Sequence, residues 1–214
     1  MKNDIYDYDT TNVIKSIMPD DLIIGHFCII GVNVKIGKGV RIDNSVIIDD
    51  NVTIGDNSYI GSWVHLRPGV KIGHDSEVRD LSFVGPGAEI GNHTRICNQC
   101  FICKHCKVGD WCFIAPGLQM ANTKVMSWGR NFDNGATIHE RFPGTPMIED
   151  GVRIGCAVTI LPGVTLAKDC YIGGGAVVLK STESFGIYVG VPAKKVGSVA
   201  PEQRIYLDGD ITPC

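Results

Sequence analysis

The chain has 214 residues, 44% of them apolar, and a formal net charge of −3, enough apolar content for one sizeable core and no general basic footprint for nucleic acid. No run of about 18 consecutive apolar residues occurs, so no membrane span is predicted. The polar opening MKNDIYDYDTTNVIKS lacks the apolar core of a signal peptide, so the expected location is cytoplasmic and reducing, with the nine cysteines as thiols rather than bridges.

After a short N-terminal segment, residues 1–21, a period of six begins. Stepping from Ile24 gives Ile30, Ile36, Ile42, Ile48, Ile54, Ile60, Leu66, Ile72, Val78, Val84, Ile90, Ile96, Ile102, Val108 and Ile114, sixteen consecutive aliphatics. Gly or Asp often follows the aliphatic, and the fifth position is usually small. Such a period is the hexapeptide repeat of a parallel β-helix. Each unit supplies a short strand and a corner, with the aliphatic filling the interior and the glycine permitting the bend. Three units make a triangular coil, and coils stack about 4.8 Å apart. One coil cannot bury its interior, whereas a stack can.

Residues 95–112, RICNQCFICKHCKVGDWC, space four cysteines as C-x2-C-x2-C-x2-C from Cys97 to Cys106, which suggests a metal site. The lattice argues otherwise. Cys28, Cys100, Cys106, Cys112 and Cys170 fall at the small fifth position and are predicted to pack inward. Cys97 and Cys103 fall at the second position on successive sides of one coil, so the four sulfurs cannot converge on one ion.

The register breaks once. Met120 keeps it, but the next repeat begins at Ile148, 34 residues after Ile114 and not a multiple of six. Residues 122–147 therefore form an excursion, too long for a bare turn and a candidate functional loop. The N-terminal coils span 22–121 and the C-terminal coils 148–183, where Ile154, Ile160, Leu166, Ile172 and Val178 resume the period. Residues 184–214 form a tail, and the whole reads as a single domain.

ILPGVTLAKDCYIGGGAVVLKS (160–181) and GIYVGVPAKKV (186–196) resemble the closing segment of the hexapeptide acetyltransferases that act on nucleotide-linked amino sugars. The bacillosamine-type UDP-4-amino-sugar N-acetyltransferases are the closest group, with features of the 3-amino-sugar enzymes. The resemblance implies an all-β, left-handed parallel β-helix, three hexapeptides per coil, assembled as a homotrimer with its sites between subunits. It implies transfer of acetyl from acetyl-CoA to the amine of a UDP- or dTDP-linked amino sugar, with no metal.

That group carries an asparagine and, seven residues later, a histidine followed by an acidic residue. Asn98 and His105 match the spacing, but Cys106 stands where the acidic residue would be. His105 is the candidate general base, since imidazole can take the proton that an ammonium must lose before attacking a thioester. Asn98 would fix the amine or the thioester carbonyl. Asp80, eighteen residues earlier and hence one coil below Asn98, would supply the missing carboxylate or hold the ammonium. For the cofactor, the resemblance maps backbone contacts to the pantetheine arm onto Cys156 and Gly174, and contacts to the CoA phosphates onto Lys194 and Lys195.

His26, His65, His74 and His93 are assigned to the outer surface, His139 to the excursion, and Trp111, one coil above His93, to a subunit interface. No H-x4-H spacing occurs, which argues against a γ-type carbonic anhydrase. A sugar O-acetyltransferase of the same fold and a non-catalytic scaffold remain the alternatives.

Overall fold

The computed structural model describes residues 5–7, 12–124, 144–207 and 210–211. Two-residue strands recur every six residues from Ile23–Ile24 to Gln119–Met120 and again from Met147–Ile148 to Val177–Val178. Each pairs in parallel with the strand one coil away: Tyr59 with Glu77, and Glu77 with Arg95. Three sheets result. Face 1 begins at Ile23–Ile24, face 2 at Ile29–Ile30 and face 3 at Lys35–Ile36, and the hexapeptide pattern fits the left-handed form of the helix. The first corner joins face 1 to face 2, the second face 2 to face 3, and the third face 3 to face 1.

The interior is built from the first and fifth positions. Ile30, Ile42, Ile48, Ile54 and Ile60 are buried at the first, as are Val40, Val46 and Val52 at the fifth. Each such side chain contributes roughly 1.5–3 kcal/mol on burial, but only when the coils above and below cover it. Cys28, Cys100, Cys106, Cys112 and Cys170 are all buried at the fifth position, and there the structure adds a second role to filling space. Ser58, Ser76 and Thr94 form a column in which each hydroxyl accepts from the backbone N–H one coil above and donates to a carbonyl. Cys112 ends it, its N–H donating to Thr94 Oγ1 at 3.0 Å and its thiol to Glu149 O at 3.2 Å. Cys100 does the same above Ser82.

The four sulfurs of the cysteine run do not gather at one point. Cys97 lies near Arg79 and Arg95, Cys100 bonds to Ala115 O, and the Cys106 thiol lies 3.7 Å from Lys107 O and 3.9 Å from Met120 Sδ. Burial pushes the Cys97 thiol up and that of Cys100 up to about 11, whereas Cys103, beside Cys106, is held below its usual value.

The glycines differ from expectation in their function. The left-handed bend sits at the fourth position, occupied by Asn33, Asn51, Gly69, Gly87 and His105 among others. The second-position glycines instead make room for the next coil. A Cβ on Gly37, Gly61, Gly91 or Gly109 would lie 2.3 Å from the carboxylate of Asp56, Asp80, Asp110 or Asp150, nineteen lattice places on. Those carboxylates cap backbone N–H groups one coil below: Asp56 to Lys38, Asp80 to Ser62, Asp110 to Asn92 and Asp150 to Asp110. Glycine and acid thus form one unit. Gly109→Ala is expected to destabilise the chain by about 1–3 kcal/mol, measured by urea unfolding. Because the added Cβ also meets the Asp150 backbone N at 2.6 Å, Asp150→Ala should not restore stability; full rescue would disprove this account.

The excursion leaves the lattice intact. Lys107 pairs with Met147, forty residues on instead of eighteen, so twenty-two residues are inserted in the second corner. Asn122 O lies against Gly144, and Gly163 N donates to Gly144 O at 2.8 Å, closing that corner as Pro86 O closes the one at His105. His139 lies outside the described residues. At the ends, Asn12–Ile14 extends face 2 in parallel below Ile29–Ile30. The tail is also structured: Gly186–Val189 pairs in parallel with Tyr171–Ile172, and Lys194–Ser198 pairs back on it antiparallel.

Candidate functional site

Four of the residues singled out from sequence fall on one line. Asp80, Asn98, Cys156 and Gly174 occupy the third position of successive first-corner turns, with Pro116 between Asn98 and Cys156. Backbone bonds trace the line: Gln99 N to Asp80 O, Gly117 N to Asn98 O, Ala157 N to Pro116 O and Gly175 N to Cys156 O, all 2.8–3.0 Å. At about 4.8 Å per coil, Asn98 and Gly174 are separated by roughly 15 Å. Beside the upper part run Ala115, Gly155 and Gly173 at the end of face 1, small residues whose upper end, at Gly173, lies under the Val189 side chain. Glycine is required at 155, where a Cβ would lie 2.5 Å from Gly174 N. The turn 189–193 covers the top, with Gly190 O accepting from Val177 N.

Asp80 has two tasks. Oδ1 accepts the Ser62 N–H at 3.0 Å, the lattice cap, and Oδ2 accepts from Asn98 Nδ2 at 3.3 Å. The second bond sets the direction of the Asn98 amide, leaving its Oδ1 as the acceptor available to a ligand. Nearby on face 1, Arg79 and Arg95 both pair with Glu77, at 2.7 and 2.8 Å. Partial burial raises the Glu77 pKa, but the two guanidiniums outweigh it and hold the carboxyl below its usual range. Beside and below Asp80 the same corner exposes Leu81, Trp63 and Phe27 at the fourth position.

His105 stands elsewhere. It is exposed on the second corner, seated over Gly87, where a Cβ would lie 2.7 Å from its Nδ1. One side of the triangle, six residues or up to ~20 Å, separates it from Asn98, so one chain does not bring the two together. Cys106 points inward and supplies no orienting group. Lys194 is exposed and pairs with Val189 at the top of the first-corner line. Lys195 Nζ is engaged with Glu183 Oε2 at 2.7 Å, a bond that raises its pKa. A concavity of about 570 Å³ lies on face 3, over Gly73, Gly91 and Gly109, and none of the predicted site residues line it. Sequence reasoning missed Pro116 and the turn 189–193; adding eighteen to Asn98 finds the first, but the second lies beyond the six-residue register.

The bacterial transferase hexapeptide model (six repeats) matches residues 28–68, 51–86 and 145–180. The matched stretches fall in the coils before and after the excursion. Among curated relatives, the hexapeptide-repeat chain is 43% identical over 60 residues to a Schizosaccharomyces pombe protein named an acetyltransferase, covering 28% of this chain and 29% of that one. It is 38% identical over 64 residues to a macrolide acetyltransferase, so named, of Lysinibacillus sphaericus, covering 30% and 36%. The matches thus span about a third of the relatives' length. LpxA from Acinetobacter baumannii has a similar structure, with a TM-score of 0.74 and 22% identity over 88% of this chain and 73% of that one. The UDP-N-acetylglucosamine acyltransferase of Francisella novicida gives 0.63 and 19%, over 89% and 73%. These likenesses show the fold.

Proposed function

We propose that the protein is an acetyl-CoA-dependent N-acetyltransferase acting on the amine of a UDP- or dTDP-linked amino sugar, working in the cytoplasm as a homotrimer. The observation that carries the reading is the alignment of the hydrogen-bonded pair Asp80–Asn98 with Cys156, Gly174 and the covering turn on one corner. The small residues beside that line suit an extended pantetheine arm. The acetyltransferase names of the S. pombe and L. sphaericus relatives support the reaction class; the nucleotide-linked amine rests on the resemblance of residues 160–196.

In this reading the arm lies along Cys156 and Gly174, held by backbone groups, with Lys194 at the phosphates. Lys195 joins it only by releasing Glu183. Asn98 Oδ1 accepts a hydrogen bond from the substrate amine, and Asp80 is a positioning residue that fixes the Asn98 amide. His105, contributed by the second corner of a neighbouring subunit, removes the ammonium proton. The free amine attacks the thioester carbonyl carbon and the C–S bond breaks, the nitrogen losing a proton to become the amide while the CoA thiolate takes up one proton to leave as the thiol.

A panel of UDP- and dTDP-linked 3- and 4-amino sugars, offered with acetyl-CoA and read by mass spectrometry, tests the reading. Acetylation of at least one amino sugar is expected. The L. sphaericus name favours a second reading, transfer to a hydroxyl, so sugars without an amine and a macrolide belong in the panel. Acetylation of these alone would reverse the choice.

A further inference from the structure

We propose that His74, Asp75 and His93, on the third corner, form a binding site for one divalent ion of the zinc class. Among the described residues, this is the group of three potential ligands whose donor atoms lie within 4.8 Å of one another. The lattice creates it: His93 stands eighteen residues after Asp75 and therefore directly above it, while His74 precedes Asp75 on the same turn. His93 N donates to His74 O at 3.0 Å, which locks the two turns together.

The side chains are held as well as gathered. His74 Nδ1 lies 2.7 Å from Asp75 Oδ2. Asn57, one coil below, donates to Asp75 Oδ1 at 3.2 Å, an outer contact that orients the carboxylate. The His93 ring is stacked on Trp111 at 4.1 Å and 21°, and meets the His74 ring edge-on at 4.8 Å. Two imidazoles and one carboxylate are a donor set suited to zinc and its neighbours in the series. The hydrogen bond from His74 already draws the Asp75 carboxyl below its usual range. An ion would take the place of the proton shared by His74 and Asp75, which moves to Nε2 of a neutral imidazole or leaves to solvent from an imidazolium, and water would complete the coordination. The cysteine run offers no such convergence, and the transfer step proposed above does not involve this corner.

The effect on the fold would be a clamp between two coils, so zinc should raise the melting temperature. The test uses the full chain carrying Cys156→Ser and Cys214→Ser, which removes the exposed thiol and the terminal one. Zn²⁺ titrated by calorimetry should bind one ion per chain. His74→Asn and His93→Asn introduce the residue type that the lattice already uses at equivalent places, Asn92 and Asn57, so both should fold. Each should weaken zinc binding by about tenfold or more. As a second readout, Cu²⁺ at this corner should quench Trp111 fluorescence, and the quenching should disappear in both variants. Zinc affinity and quenching unchanged in both variants, or no zinc binding below about 1 mM, would overturn the proposal.

Discussion

His105→Ala is expected to lower kcat by roughly 10²-fold and to leave the KM for acetyl-CoA nearly unchanged. The separation in space explains the split: the cofactor arm is assigned to Cys156 and Gly174 on the first corner, whereas His105 stands on the second. A general base also shapes the pH profile, so the profile of the variant should differ from that of the wild type. Asn98→Ala should impair transfer through lost placement of the amine, without altering the shape of the pH profile. Asp80→Asn should act in the same direction, since the Asn98 amide loses its anchor.

Because Asn98 and His105 occupy different corners, the two defects should also complement. Mixing His105→Ala and Asn98→Ala chains under conditions that exchange subunits should restore activity, since some interfaces then carry both intact residues. A mixture as inactive as either parent would exclude a site shared between subunits. A fully active His105→Ala enzyme would end the general-base role and leave Asn98 to position an amine that arrives already deprotonated.

The second large effect is alkaline instability. Burial pushes the Cys112 thiol up to about 12 and those of Cys100 and Cys170 up to about 11, against 9.0 for a free thiol. In the unfolded chain these groups lose their protons above about pH 9, while in the folded chain they keep them. Their contribution is therefore fully present below pH 9 and is lost as pH rises through 11 and 12. At about 1.4 kcal/mol per pKa unit, Cys112 alone accounts for an order of magnitude of ~4 kcal/mol.

Cys112→Ser isolates the effect. Serine repeats the role of Ser58 and Ser76 in the same column, so stability at pH 7 should stay within about 1 kcal/mol of wild type. Urea unfolding between pH 8 and 11 should show a shallower loss in the variant. The difference between the two proteins is the informative quantity, because Tyr59, raised to about 12 by burial and by its bond to Asp43, titrates in the same range. Identical pH slopes would refute the assignment.

The coils were legible because one physical demand recurs every six residues: a branched aliphatic that must be inside. The same count placed the cysteines at inward positions and Asp80 beneath Asn98. What the count could not supply was chemistry between coils. The pairing of Gly61 with Asp80 or Gly109 with Asp150 is a relation across nineteen lattice places that reads along the chain only as a taste for Gly and Asp. His74 and His93 each looked like an isolated surface histidine. Their meeting is visible only when residues are ordered by eighteens, and the Trp111 stack follows from the same ordering. Sequence assigns Lys195 to the CoA phosphates, and its pairing with Glu183 escapes that reading because Glu183 lies in a segment outside the period.

The twenty-two residues inserted in the second corner enter and leave at a single rung. Asn122 and Gly144 stand side by side, and the strands on either side keep the pairing they would have without the insertion. The segment is therefore an interchangeable cassette. For a flexible insertion closed at one rung, each doubling of length costs only about 0.6 kcal/mol in closure entropy. The scaffold on either side can therefore stay the same while the residues between Asn122 and Gly144 vary in number and kind, so relatives of this chain would differ in length at that rung before they differ in the stacking of their coils.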